Sequence, residues 1–129
     1  MNIPENLHYT SDHEWLRVEN SEGVVGITDY AQSELGDIVY VDLPDVGKEI
    51  FQGKPFGTIE AVKAAAELFA PVTGEIIAVN GLLEQHPELI NRSPYEDGWI
   101  IKVKMRDAEE VDTLLTPNDY RQLITKLKG

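Results

Sequence analysis

Gly36-Asp37-Ile38-Val39-Tyr40-Val41 returns later in the chain as Gly74-Glu75-Ile76-Ile77-Ala78-Val79. A turn-rich segment follows each copy. Then comes a second glycine-led strand, Phe56-Gly57-Thr58-Ile59-Glu60 in the first case and Asp97-Gly98-Trp99-Ile100-Ile101 in the second. Both units therefore run as glycine, acid, strand, turn, glycine, strand, with β-branched residues where strands want them. Two such halves, about 36–61 and 74–105, can each cover the other's apolar face about a pseudo-two-fold. The expected product is mainly β, a flattened barrel or sandwich of two small antiparallel sheets.

Between the halves stands Lys63, in Phe56-Gly57-Thr58-Ile59-Glu60-Ala61-Val62-Lys63-Ala64-Ala65-Ala66-Glu67. No other Lys or Arg occurs between Pro55 and Asn91. The first half's last strand runs into Lys63, and Glu67-Leu68-Phe69-Ala70 leads on to Gly74. Lys63 is thus expected at a hairpin tip, where a side chain swings without losing packing. Small and apolar neighbours leave its amine unobstructed, as suits an attachment point for a prosthetic group. A modifying enzyme must find this one lysine, and Glu60, Val62, Ala64 and Gly74 are the expected recognition marks around it.

The flanks are different. Leu7-His8-Tyr9-Thr10 and Glu14-Trp15-Leu16-Arg17-Val18-Glu19 read as strands, Asn20-Ser21-Glu22-Gly23 as a turn, and Gly23-Val24-Val25-Gly26-Ile27 as a further strand. Thr28 or Asp29 can cap a short helical turn that Gly36 ends. At the other end Ala108, Val111, Leu114 and Leu115 suit a short amphipathic helix. Thr116-Pro117-Asn118-Asp119 then reads as an N-cap, a first-turn proline and a first-turn acid. Tyr120, Leu123, Ile124 and Leu127 form an apolar stripe at helical spacing, and Gly129 closes a helical tail of about 107–128. That stripe is expected to cover an open side of the β unit.

At 129 residues the chain is expected to form one domain, 1–129, with a core that needs no disulfide or metal. It has no cysteine, so thiolate catalysis and Cys-based zinc sites are excluded. A net charge of −12 argues against nucleic acid and anionic membranes, and favours steered encounters with basic partner surfaces. Neither a signal peptide nor a transit peptide is visible, and no apolar run approaches a membrane span. A cytoplasmic, acidic monomer is the expectation.

No phosphate loop, nucleophile elbow or spaced acid/base pair is present. His8, Asp12, His13 and Glu14 lack metal-ligand spacing, and strand alternation would split their faces. Trp15 and Trp99 suit packing better than a stacking platform. Asn80-Gly81 is a turn signal.

The segment around Lys63 is similar to the lipoyl- and biotinyl-domain superfamily, whose fold is a barrel-sandwich hybrid. Biotinyl domains usually carry Met on both sides of the lysine, and lipoyl domains of 2-oxo acid dehydrogenase complexes usually carry Asp before it; this chain has neither. Further blocks sharpen the match: His13-Glu14-Trp15, Gly26-Ile27-Thr28-Asp29-Tyr30-Ala31-Gln32, Leu35-Gly36-Asp37, Glu60-Ala61-Val62-Lys63 and Pro71-Val72-Thr73-Gly74-Glu75. Leu89-Ile90-Asn91 and Ser93-Pro94-Tyr95-Glu96-Asp97-Gly98-Trp99 follow in order. Together they resemble the H-protein family of the glycine cleavage system, from about Tyr9 to Leu127.

The resemblance implies a non-enzymatic carrier with lipoate joined by an amide to Lys63. It implies as partners a pyridoxal-phosphate glycine decarboxylase, a tetrahydrofolate-dependent aminomethyltransferase, dihydrolipoyl dehydrogenase, and a lipoate ligase or an octanoyl or lipoyl transferase. In such a carrier the aminomethyl group is cationic, and Glu14, Glu67 and Glu34 are the candidates for a cleft that holds it. Three other readings remain. One is a lipoyl or biotinyl module of another complex. A second is a relay of lipoyl groups to other acceptors, and the third a binding module with Lys63 unmodified.

Overall fold

The computed structural model describes residues 1–128. Gly129, expected to close the last helix, lies outside the described residues. In chain order the strands are β1 (His8–Tyr9), β2 (Glu14–Glu19), β3 (Glu22–Ile27), β4 (Ile38–Asp42), β5 (Glu49–Ile50), β6 (Pro55–Ala61), β7 (Ala65–Phe69), β8 (Gly74–Val79) and β9 (Ile101–Met105). The α-helices are α1 (Asp29–Leu35), α2 (Leu89–Arg92) and α3 (Pro117–Lys128).

The strands form two antiparallel sheets, as the repeated units require. One has three strands in the order β4-β6-β7, and the other six in the order β1-β2-β3-β9-β8-β5. Within the first unit β4 pairs with β6, and within the second β8 pairs with β9. Each pair breaks register at the same place in its unit, between Ile38 and Tyr40 in β4 and between Ile76 and Ala78 in β8. Val39 and Ile77 are the extra residues, and such an irregularity bends its strand and increases its twist.

The sheets are less equal than the repeat suggests. Val25 of β3 pairs with Ile101 of β9, so the N-terminal meander extends the second unit's sheet. Ile50 of β5 pairs with Gly74 and adds the opposite edge. Both sheets remain open rather than closing into a barrel. Their inner faces share one core, in which Leu16, Val25, Val41, Ile59, Ile76 and Val103 are buried.

A second cluster lies at the outer edge of β1 and β2. The Tyr9 and Tyr120 rings stack with centroids 4.6 Å apart, and Trp15, Tyr30, Tyr95 and Ile124 join them. This is where α3 docks. Its start follows the expected chemistry: Pro117 is the first residue, and the Thr116 hydroxyl accepts from Asp119 N–H at 3.1 Å. Tyr120 and Ile124 are buried, but Leu127 in the last turn extends past the cluster and is 53% exposed.

The earlier expected helix is a 3-10 helix, Ala108–Thr113. Asp107 caps it, and Leu115 leaves it extended to bridge Tyr9. That extended exit is why the amphipathic pattern through Leu114 and Leu115 does not continue as a helix. The Ser93–Trp99 block is a latch: Trp15 Nε1–H donates to the Pro94 carbonyl at 3.0 Å, and Tyr95 Oη donates to the Asn2 carbonyl at 2.7 Å. Among the described residues no helix is long and apolar enough to cross a membrane.

Candidate functional site

Lys63 occupies the three-residue turn between β6 and β7. Ala61 N–H donates to the Ala64 carbonyl at 2.7 Å and closes that turn. Val62 N–H donates to the Asp37 carbonyl at 3.0 Å, which ties the turn to the loop between α1 and β4. Lys63 is exposed, and among the described residues its Nζ takes part in no hydrogen bond or ion pair. Its stem lies over Gly36: a Cβ placed there would stand 3.1 Å from Lys63 Cε and 3.8 Å from Nζ. A free amine, an exposed turn and a stem with room to lie suit a covalently attached acyl group.

The other expected marks are spread differently. Glu60 is exposed on β6, opposite Tyr40 on one side and Ala65 on the other. Val62 is 75% exposed beside the lysine, and Ala64 serves the turn through its carbonyl. Gly74 is not in the turn. It is buried at the start of β8, where a Cβ would run into the Lys104 carbonyl oxygen and stand 2.6 Å from Val103 Cγ1. Close strand packing accounts for that glycine.

Of the three expected cleft acids, Glu14 lines a cavity. The cavity is about 240 Å³ and is walled by Thr10, Asp12, Gln52, Phe69 and Leu114 among others. Glu14 itself is 2% exposed. Its Oε1 accepts from the Thr10 hydroxyl at 2.7 Å, and its Oε2 accepts from Phe69 N–H at 3.3 Å. Burial pushes the carboxyl up to about 8, and the nearby Asp12 charge adds to the effect; the bonds from Thr10 and Phe69 oppose both. A carboxyl in that state can donate a proton or, once ionised, pair with a cation. Glu67 is exposed on β7 opposite Thr58, and Glu34 is exposed on α1; both lie outside the cavity lining.

Glu34 bears on His13 instead. Burial lowers the His13 pKa, and the charges of Asp12 and Glu34 oppose that shift. His13 Nδ1 lies 2.9 Å from the Tyr120 hydroxyl, with the backbone in the left-handed region at φ 73°. Among the described residues no cluster of side chains is arranged to hold a metal ion.

Thr10 and Gln52 were not singled out from sequence. Thr10 shows only a weak signal, a hydroxyl four residues before a buried acid. Gln52 gives none, since its Nε2 reaches Pro71 and Thr113 only after the chain has folded.

Comparison with known proteins brings these features together. Residues 7–127 match the model of the family described as glycine cleavage H-protein. The chain is 52% identical over 126 residues to a glycine cleavage system H protein of Geobacillus kaustophilus, covering 98% of this chain and 99% of that relative. A namesake from Brevibacillus brevis is 51% identical, with 96% and 98% covered. The crystal structure of a glycine cleavage system H protein from Mycobacterium marinum superposes with a TM-score of 0.84 at 34% identity, covering 93% of this chain and 97% of that one.

Proposed function

The chain belongs to the glycine cleavage H-protein family, and from that premise we propose that Lys63 carries lipoate and passes an aminomethyl group between the enzymes of glycine cleavage. Membership makes it a lipoyl-carrier component of that system. Bound through an amide to Nζ, lipoate would supply a disulfide ring able to accept an aminomethyl group and later to return two electrons.

The chain's own residues supply position and protection. The β6–β7 hairpin holds Lys63 on a rigid ladder and leaves its amine in solvent. Glu60, Val62 and Ala64 form the exposed surroundings that a lipoate ligase, or an octanoyl or lipoyl transferase, would read. Gly74 contributes through the strand packing beneath.

Glu14 and its cavity suit a primary ammonium group, since a carboxyl there can release its proton and pair with the cation. Glu67 and Glu34 are exposed acids that would act outside that cavity. The partners in this reading are glycine decarboxylase, the aminomethyltransferase and dihydrolipoyl dehydrogenase. The net charge of −12 favours basic docking surfaces on them. A cytoplasmic monomer is part of the same proposal.

The single observation that carries the reading is a lysine with a free amine on an exposed turn, in a chain matching the family over 7–127. Incubation with a lipoate ligase, lipoate and ATP, read by intact and peptide mass spectrometry, tests it. One lipoyl adduct on Lys63, absent from Lys63→Arg, is expected. Folded protein that takes up no lipoate would overturn the reading and favour an unmodified binding module.

A further inference from the structure

Asn91 belongs to the Leu89-Ile90-Asn91 motif, and the carrier reading gives it no task. Its half-buried side chain makes three hydrogen bonds around one short loop. Oδ1 accepts from Ile38 N–H at 2.9 Å, and Nδ2 donates to the Gly36 carbonyl at 2.8 Å and to Gln32 Oε1 at 2.9 Å. The amide thus grips both ends of Gly36-Asp37-Ile38 and fastens it to α1.

That loop is also what the lysine turn rests on. Between the two gripped residues, the Asp37 carbonyl accepts from Val62 N–H, one residue before Lys63. Gly36 lies under the lysine stem, with φ of 81° and no Cβ to obstruct Cε. The hairpin itself has little to restrict the stem, because Ala64, Ala65 and Ala66 follow it and are exposed. What bounds the direction of the side chain lies across the gap, on the loop that Asn91 holds.

We propose that Asn91 is a positioning residue for Lys63: through the Gly36–Ile38 loop it sets the direction in which the lysine leaves its turn, and so the rate at which Nζ is acylated. The proposal rests on the reading that Lys63 is acylated. In that step the free amine attacks the carbonyl carbon of an acyl-adenylate. The C–N bond forms, the C–O bond to phosphate breaks, AMP leaves, and the nitrogen gives one proton to solvent. A lysine stem has many rotamers, and holding it near one productive direction raises the fraction of encounters that react.

Asn91→Asp is the sharpest variant. It keeps the acceptor for Ile38 N–H and replaces the donor with an oxygen facing two other oxygens. Asn91→Ala removes all three bonds. Thr116→Ala, which takes away the α3 cap, is the control for lost stability outside the lysine turn. Lipoylation by a lipoate ligase should lose at least fivefold in kcat in both Asn91 variants, with KM within twofold, while Thr116→Ala keeps wild-type kinetics. In the unmodified protein the Val62 amide should exchange at least tenfold faster in Asn91→Asp. The NOE from Gly36 Hα to Lys63 Hε should disappear.

Wild-type kcat in both Asn91 variants would overturn the proposal, whatever happened to their melting temperatures. So would a change confined to KM, which would make Asn91 a docking residue. Failure of the wild type to be lipoylated would overturn the carrier reading instead. The exchange rate and the NOE would then still decide whether Asn91 directs the lysine.

Discussion

The Thr10 hydroxyl donates to Glu14 Oε1 at 2.7 Å while accepting from the backbone N–H groups of Asp12 and Glu14 itself, at 3.2 and 3.1 Å. One hydroxyl therefore shapes the loop and orients the carboxyl that the loop buries. The other carboxyl oxygen takes Phe69 N–H, at the far end of the strand that leaves the lysine turn. Glu14 is in this way fixed between the N-terminal meander and the lysine hairpin.

This burial has a pH signature. Glu14 titrates near 4.5 in the unfolded chain and at about 8 in the folded one. Between those values the unfolded chain has lost the proton and the folded chain keeps it, so Glu14 makes stability fall as pH rises through that window. Below it both states are protonated and the contribution vanishes. Glu14→Gln should gain on the wild type as pH rises, by on the order of a few kcal/mol by about pH 8. Urea unfolding at several pH values checks this, and parallel curves for the two proteins would show that Glu14 is ionised throughout.

Tyr120 should be the residue that fastens α3. Its hydroxyl lies 2.6 Å from Thr28 Oγ1 and 2.9 Å from His13 Nδ1, joining the C-terminal helix to the α1 cap and to the left-handed turn before Glu14. Tyr120→Phe keeps the stack on Tyr9 but leaves the fully buried Thr28 hydroxyl short of a partner. The expected loss is about 1–3 kcal/mol. The denaturation midpoint measures it, and an unchanged midpoint would mean that ring packing alone holds the helix.

What could be read from the chain was what is local. The Gly-acid-strand units, the Thr28 cap with Gly36 at the far end of α1, and Pro117 opening α3 each depend on residues a few positions apart. The six-stranded sheet depends on Val25 meeting Ile101, a pairing that no periodicity announces. β5 is two residues long, too short to stand out from the turn around it. At the site, Lys63 was legible because its surroundings lack any other cation. Thr10 and Asn91 were not legible as partners: the Thr10 bond needs its loop to turn a nearby acid back onto the hydroxyl, and the Asn91 bonds need distant segments to be brought together.

Val62 should separate recognition from stability. It is 75% exposed, and what it gives the fold is a backbone N–H that any residue but proline supplies. Val62→Ala and Val62→Glu should stay within about 0.5 kcal/mol of the wild type. Lipoylation kinetics are the informative measurement: Val62→Glu should lose at least fivefold in kcat/KM through its side chain. Equal rates for all three proteins would remove Val62 from the recognition surface.

Gly74 should behave in the opposite way. A methyl group there meets the Lys104 carbonyl oxygen and Val103 Cγ1, and the backbone oxygen has no rotamer by which to retreat. β8 must move away from β9, at the point where Gly74 pairs with Met105 and, on its other side, with Ile50. Gly74→Ala should therefore cost roughly 1–3 kcal/mol, the usual range for overpacking a tight site. The melting temperature would record that loss. If packing is its whole role, the fraction that remains folded should be lipoylated at the wild-type rate, so rates are compared well below the melting temperature of the variant. A normal melting temperature with slow lipoylation would reverse the assignment. Gly74 would then be read by the modifying enzyme, although its own side of β8 faces strands rather than solvent.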